Sequence, residues 1–126
     1  MKKMIKKLDG VLLSSENTTK LVKFYREIVG LKQGMEFEME DGKKVYSFDD
    51  VQLFINPHSE VSGKNKNPER FMLNFEVDDI EKEVEKVKKA GAKQTQDIYH
   101  IEGYGLVSTF EDVDGNFFQL VQVKQN

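Results

Sequence analysis

Apolar positions along the chain come in short clusters whose spacing switches between the two periods of regular secondary structure. Residues 8–15 form an apolar run with the length of a buried strand. Beyond Asn17, the residues Leu21, Phe24, Tyr25 and Ile28 follow at intervals of three, one and three, one face of an amphipathic helix. Asn17 suits its N-cap, because the side-chain oxygen can accept a free N–H of the first turn, and Gly30 suits a left-handed stop. Residues 36–40, 43–48 and 51–55 then read as three strands, with Asp41-Gly42 as the hairpin turn joining the first two.

The same plan follows a second time. Residues 71–77 read as a strand, and Asp78 as an N-cap with Glu81 three residues on, a capping box worth about 1 kcal/mol. Ile80, Val84 and Val87 supply the helix stripe, Gly91 the stop, and residues 93–98, 106–110 and 116–123 the closing strands. The copies also match in their letters: Gly30-Leu31-Lys32-Gln33 with Gly91-Ala92-Lys93-Gln94, and 45–51 with 107–113, a shared Val-x-x-Phe-acid-Asp-Val run. The polar stretch 57–70, with Gly63, Asn65, Asn67 and Pro68, reads as the linker. We therefore expect one domain over residues 1–126, with module one at 8–56, the linker at 57–70 and module two at 71–124. The expected fold is α+β: two β-α-β-β-β modules forming a curved mixed sheet, helices on one face and a concave cleft on the other.

Strand parity says which side chains face that cleft, because successive residues point to opposite faces. Phe71, Leu73, Phe75 and Val77 make an apolar set suited to packing under a helix, leaving Met72, Asn74 and Glu76 for the other face. Phe118 and Leu120 oppose Phe117, Gln119 and Val121, and Val11 and Leu13 oppose Gly10, Leu12 and Ser14. The cleft residues expected to contact a ligand are Leu12, Ser14, Leu53, Met72, Asn74, Phe117 and Gln119. Asn74 and Gln119 can each donate and accept; a cross-strand bond between them or to Ser14 is the competing use of those amides.

Composition narrows the partners. The 126 residues are 38% hydrophobic and 33% charged with two prolines, the balance of a globular chain able to build one core. A net charge of −3 gives no electrostatic case for nucleic acid. Lys2, Lys3, Lys6 and Lys7 form one basic cluster, which reads as a solubilising overhang of the first strand. Cysteine is absent, which rules out disulfide and thiolate chemistry and suits a cytoplasmic location. Val11-Leu12-Leu13 is too short for a leader or a membrane span.

Two segments carry a family resemblance. Phe24-Tyr25-x-x-Ile28-Val29-Gly30-Leu31 and Asp112-Val113-Asp114-Gly115-Asn116-Phe117-Phe118-Gln119-Leu120 resemble motifs of the vicinal-oxygen-chelate superfamily, the glyoxalase, bleomycin-resistance and extradiol-dioxygenase group. The second is similar to its Asp-Pro-Asp-Gly-Asn turn, with Val113 in place of proline. The resemblance covers nearly the whole chain and implies a homodimer. It also implies a divalent metal held by His, Glu or Gln from four cleft-facing strands. Carried over from the matching motifs, those places fall on Gly10, Leu53, Met72 and Gln119. Neither glycine nor leucine offers a donor, a thioether is a poor ligand for hard or borderline ions, and one amide cannot hold the ion alone.

Elsewhere the chemistry is sparse. His58 and His100 are the only histidines, and neither has an i, i+4 carboxylate or histidine partner, so turn-capping or exposed roles fit them. Asp112 and Asp114 flank Gly115-Asn116 and read as turn residues rather than an acid–base pair. Gly103-Tyr104-Gly105 is too short for a phosphate loop. The function expected is a metal-free small-molecule-binding protein, without cofactor, that encloses an aromatic or amphipathic compound. A lyase, isomerase or dioxygenase with a relocated metal site is the alternative, and a partner-binding dimer with a filled cleft is the third reading. A fold alone does not choose among them.

Overall fold

A computed structural model describes residues 4–125. Lys2 and Lys3 lie outside the described residues, and Lys6 and Lys7 stand exposed ahead of the first strand.

Strand β1 spans Val11–Ser15, three residues shorter at its start than the apolar run. Leu8 is 82% exposed, so that end of the run buries nothing. Helix α1 covers Thr18–Lys23, and the Asn17 side chain accepts the Lys20 N–H at 3.1 Å, as the cap requires. It continues without a break into a π-helical stretch, Phe24–Val29, that closes at Gly30 with φ 92°. Both the Gly30 and Leu31 N–H groups donate to the Tyr25 carbonyl there. The wider turn accommodates two consecutive aromatics, Phe24 and Tyr25, inside the core.

Strands β2 (Glu36–Glu38), β3 (Lys44–Phe48) and β4 (Leu53–Pro57) complete the first sheet, in the order β1-β4-β3-β2. β4 starts two residues later than expected, because Asp49–Val51 form a 3-10 turn and Gln52 takes a left-handed φ of 54°. The second sheet has β5 (Met72–Glu76), β6 (Lys93–Ile101), β7 (Gly105–Glu111) and β8 (Phe117–Val123), in the order β5-β8-β7-β6. In both sheets the first strand lies parallel to the last and the remaining pairs are antiparallel. The curved surface is thus two four-stranded mixed sheets with one plan, as the duplicated sequence pattern requires.

Helix α2 (Ile80–Lys89) is capped by Asp79, whose carboxylate accepts the Lys82 N–H at 3.3 Å, not by Asp78. With lysine three residues after the cap, no reciprocal capping box forms. The Glu85–Lys89 pair does meet, at 3.4 Å on the solvent side. α1 packs on β1, β3 and β4, and α2 on β6, β7 and β8. One core runs through both halves: Leu21, Phe48 and Ile55 join Ile80, Val87 and Phe110, with Phe118 against the rings of Phe24 and Tyr25 at 5.9 and 5.7 Å.

Candidate ligand site

The second sheet turns a mixed face away from its helix. Leu73 and Phe75 pack into the core while Met72 is half-buried and Asn74 exposed, and Phe118 and Leu120 are buried with Phe117 and Gln119 half-buried on the other side. Met72, Phe117 and Gln119 line a hollow of about 530 Å³ together with Thr95, Gln96, Tyr99 and Thr109. That volume suits a small molecule. The Gln119 Nε2 donates to the Thr109 hydroxyl at 2.8 Å, so the competing cross-strand bond exists, but to Thr109 rather than to Asn74 or Ser14.

The seven expected cleft residues do not share one cavity. Leu12 and Ser14 open into a separate recess under the linker, beside Asp114 and Asn116. Asn74 and Met72 border a groove of about 440 Å³ between the sheets, walled opposite by Val11, Val29 and Leu31. Leu53 lies on the same groove beside its register partner Val11, with its side chain 1% exposed and packed in the core. Phe54, paired with Leu12, holds the outward position on that strand. Thr109, Gln96 and Tyr99 escaped the sequence reading. Parity could have found Thr109, one before the buried Phe110, whereas two register shifts in β6, between Gln94 and Gln96 and between Gln96 and Tyr99, hide the other two.

The four places that the resemblance assigns to metal ligands make no donor set. A Cβ on Gly10 would lie 2.7 Å from the Gln52 carbonyl oxygen and 2.8 Å from the Phe54 ring, so no ligating side chain fits at that position. Leu53 faces inward and Met72 offers a thioether, which leaves the carbonyl oxygen of Gln119 as the single donor of the four. Among the described residues no three His, Cys, Asp or Glu side chains come together to hold an ion. His58 caps a turn, its Nδ1 accepting the Glu60 N–H at 3.0 Å, and His100 is exposed on the edge strand.

The acidic pair is structural. The Asp112 carboxylate, 3% exposed, accepts the Tyr25 hydroxyl at 2.6 Å and the N–H groups of Asp114 and Asn116 at 2.8 and 3.0 Å. Asp114 accepts the Ser15 hydroxyl at 2.5 Å, and Asn65 of the linker donates to Asn116. This turn therefore ties both modules and the linker together. Burial pushes the Asp112 carboxyl above the usual aspartate range, against its hydrogen bonds from Tyr25 and Asn116. Burial, reinforced by the Asp112 charge, raises the Tyr25 phenol well above its ordinary value.

The paired-sheet architecture has counterparts in known proteins. The sequence profile of the glyoxalase-like domain matches residues 10–121. The chain belongs to the glyoxalase-like domain family. No curated protein matches it significantly in sequence. Among solved structures, this glyoxalase-like chain is similar to a glyoxylase/bleomycin resistance protein/dioxygenase domain from Frankia sp. EAN1pec (15% identity, 95% of this chain and 99% of that one, TM-score 0.73). It is also similar to the fosfomycin resistance protein FosX from Listeria monocytogenes (16% identity, 96% of each chain, TM-score 0.73). A third similar structure is TnmS3, an antibiotic binding protein from Streptomyces sp. CB03234 (16% identity, 98% and 100%, TM-score 0.72). At these identities the likeness shows the fold. The vicinal-oxygen-chelate resemblance is thereby confirmed. Among the described residues, no helix is long and apolar enough to cross a membrane.

Proposed function

We propose that this glyoxalase-like protein binds an aromatic or amphipathic small molecule without a metal ion, as a homodimer in the cytoplasm. The observation that carries the metal-free reading is at Gly10, where the Phe54 ring and the Gln52 carbonyl leave no space for a ligating side chain. A hollow walled by Met72, Phe117 and Tyr99 with neutral amides and a hydroxyl supports binding over catalysis, because none of these groups is a nucleophile or a base at neutral pH. TnmS3, an antibiotic binding protein of the same fold, shows that this scaffold can serve as a binder. The homodimer is supported by the outward face of the first sheet, where Leu12, Met35 and Phe37 are 61%, 63% and 53% exposed.

Metal analysis of protein purified without chelator, followed by a thermal-shift screen, tests this reading. The expected outcome is substoichiometric metal, a melting temperature unmoved by chelator, and stabilisation by a bound compound of about 2.7 kcal/mol at 100 times its dissociation constant. Stoichiometric Zn, Ni, Mn or Fe with loss of stability on chelation would overturn it. That result would favour the lyase, isomerase or dioxygenase alternative with a relocated metal.

A further inference from the structure

The hollow on the second sheet has an internal order that bears on what it can hold. Asn74, Gln119, Thr109 and Gln96 are register partners on four successive strands, β5, β8, β7 and β6. They form one row of neutral hydrogen-bonding side chains across the whole sheet, Gln119, Thr109 and Gln96 lining the hollow and Asn74 bordering the groove beside it. Met72 and Phe117 pair in the row on one side, and Tyr99 ends the row on the other. Within the hollow, the polar stripe therefore runs between apolar side chains.

Charge is kept to the margins of the stripe. Every side chain lining the hollow is uncharged. The charges on the same sheet face lie outside the hollow: Glu111, in register with Phe117 and Lys93 and paired with Lys64 at 3.7 Å, and the exposed Glu76. An anion would lose its hydration here with no cation among the residues that line the hollow. A cation would find its nearest interior carboxylate already neutralised. An uncharged ring system with carbonyl, amide or hydroxyl groups along one edge leaves nothing unpaired. Its faces can lie on Phe117 and Tyr99, and its polar edge can meet the stripe, where the Gln119 amide is held by Thr109 with its carbonyl oxygen free to accept.

We infer that the Asn74–Gln119–Thr109–Gln96 row selects uncharged planar aromatic ligands bearing hydrogen-bonding groups on one edge, and rejects their charged analogues. This rests on the small-molecule-binding reading above and narrows its ligand class.

A matched series separates the two claims: 2-naphthamide, 2-naphthoate and 2-naphthylmethylammonium share one ring and differ in charge. Titrations followed by the side-chain amide NMR signals of Asn74, Gln96 and Gln119 should show the naphthamide binding at least about tenfold more tightly than either ion. Gln119→Leu should abolish that preference, and so should Asn74→Leu, an exposed position whose replacement leaves the core intact, while naphthalene itself is still bound. Equal or tighter binding of either ion at these residues would overturn the charge selection and leave the binding reading standing. Absence of binding by all three compounds and by a wider aromatic set would overturn both.

Discussion

Asp112 sits in the interior as an acceptor for Tyr25, Asp114 and Asn116. Its bond from the Tyr25 hydroxyl crosses from one module to the other, and a charged acceptor left short of a donor inside a protein is costly. Tyr25→Phe is expected to destabilise the fold by about 2 kcal/mol in urea denaturation, with little change in the far-UV spectrum. Because burial raises the Asp112 carboxyl in the folded state, folding favours its protonated form. Its stabilising contribution is therefore complete below the ordinary aspartate value and is lost as pH rises through the raised one. The stability of the native chain minus that of Asp112→Asn should fall as pH rises from the ordinary aspartate value through the raised one; a difference that grows instead would contradict the burial. The turn role of Asp112 and Asp114 was legible from their place before Gly115-Asn116. Tyr25 was not, since a tyrosine in a helix stripe reads simply as core until its hydroxyl partner, far along the chain, is known.

Regular elements were the most readable part of the sequence, and their irregularities the least. Asn17, Gly30 and Gly91 mark helix ends through local chemistry, so they could be read one residue at a time. The π-helical stretch at Phe24–Val29, the 3-10 turn at Asp49–Val51 and the shifts within β6 answer to packing between distant segments. Gly105 shows a constraint of the same tertiary origin: its φ is 146°, and a Cβ there would lie 2.1 Å from the Gln122 carbonyl oxygen across the β7–β8 ladder. Gly105→Ala should therefore cost more than about 2 kcal/mol in thermal denaturation. Gly63→Ala, at φ 67° with nothing within 4 Å, should cost only about 1 kcal/mol. Equal losses at the two sites would mean that backbone conformation alone, not the close approach, governs Gly105.

At the scale of the molecule, the two sheets share a plan but not a surface. The second offers a stripe of amides; the first offers Leu12, Met35, Phe37 and Met39, all well exposed. Parity showed that each sheet would have an outward face, but nothing in the chain says whether those faces meet within one copy or between two. A homodimer that covers the first sheet would be broken by charge at its centre. Phe37→Asp is expected to convert a dimer to a monomer in sedimentation equilibrium while leaving the melting profile of the monomer unchanged, since this side chain is already 53% exposed. A native chain that sediments as a monomer at tens of micromolar would remove the dimer from the proposed function.

The bonds at the acidic turn span great lengths of chain: Tyr25 to Asp112 across 87 residues and Ser15 to Asp114 across 99. Contacts that distant require both modules and the linker to be in place, and each half lacks its partner without the other. The halves are then not two folding units that happen to touch. Cutting the exposed linker after Ser59 should leave two fragments that are each largely unstructured, yet regain the native circular dichroism when mixed. A duplicated gene would in this way have become a molecule whose repeats depend on each other to fold.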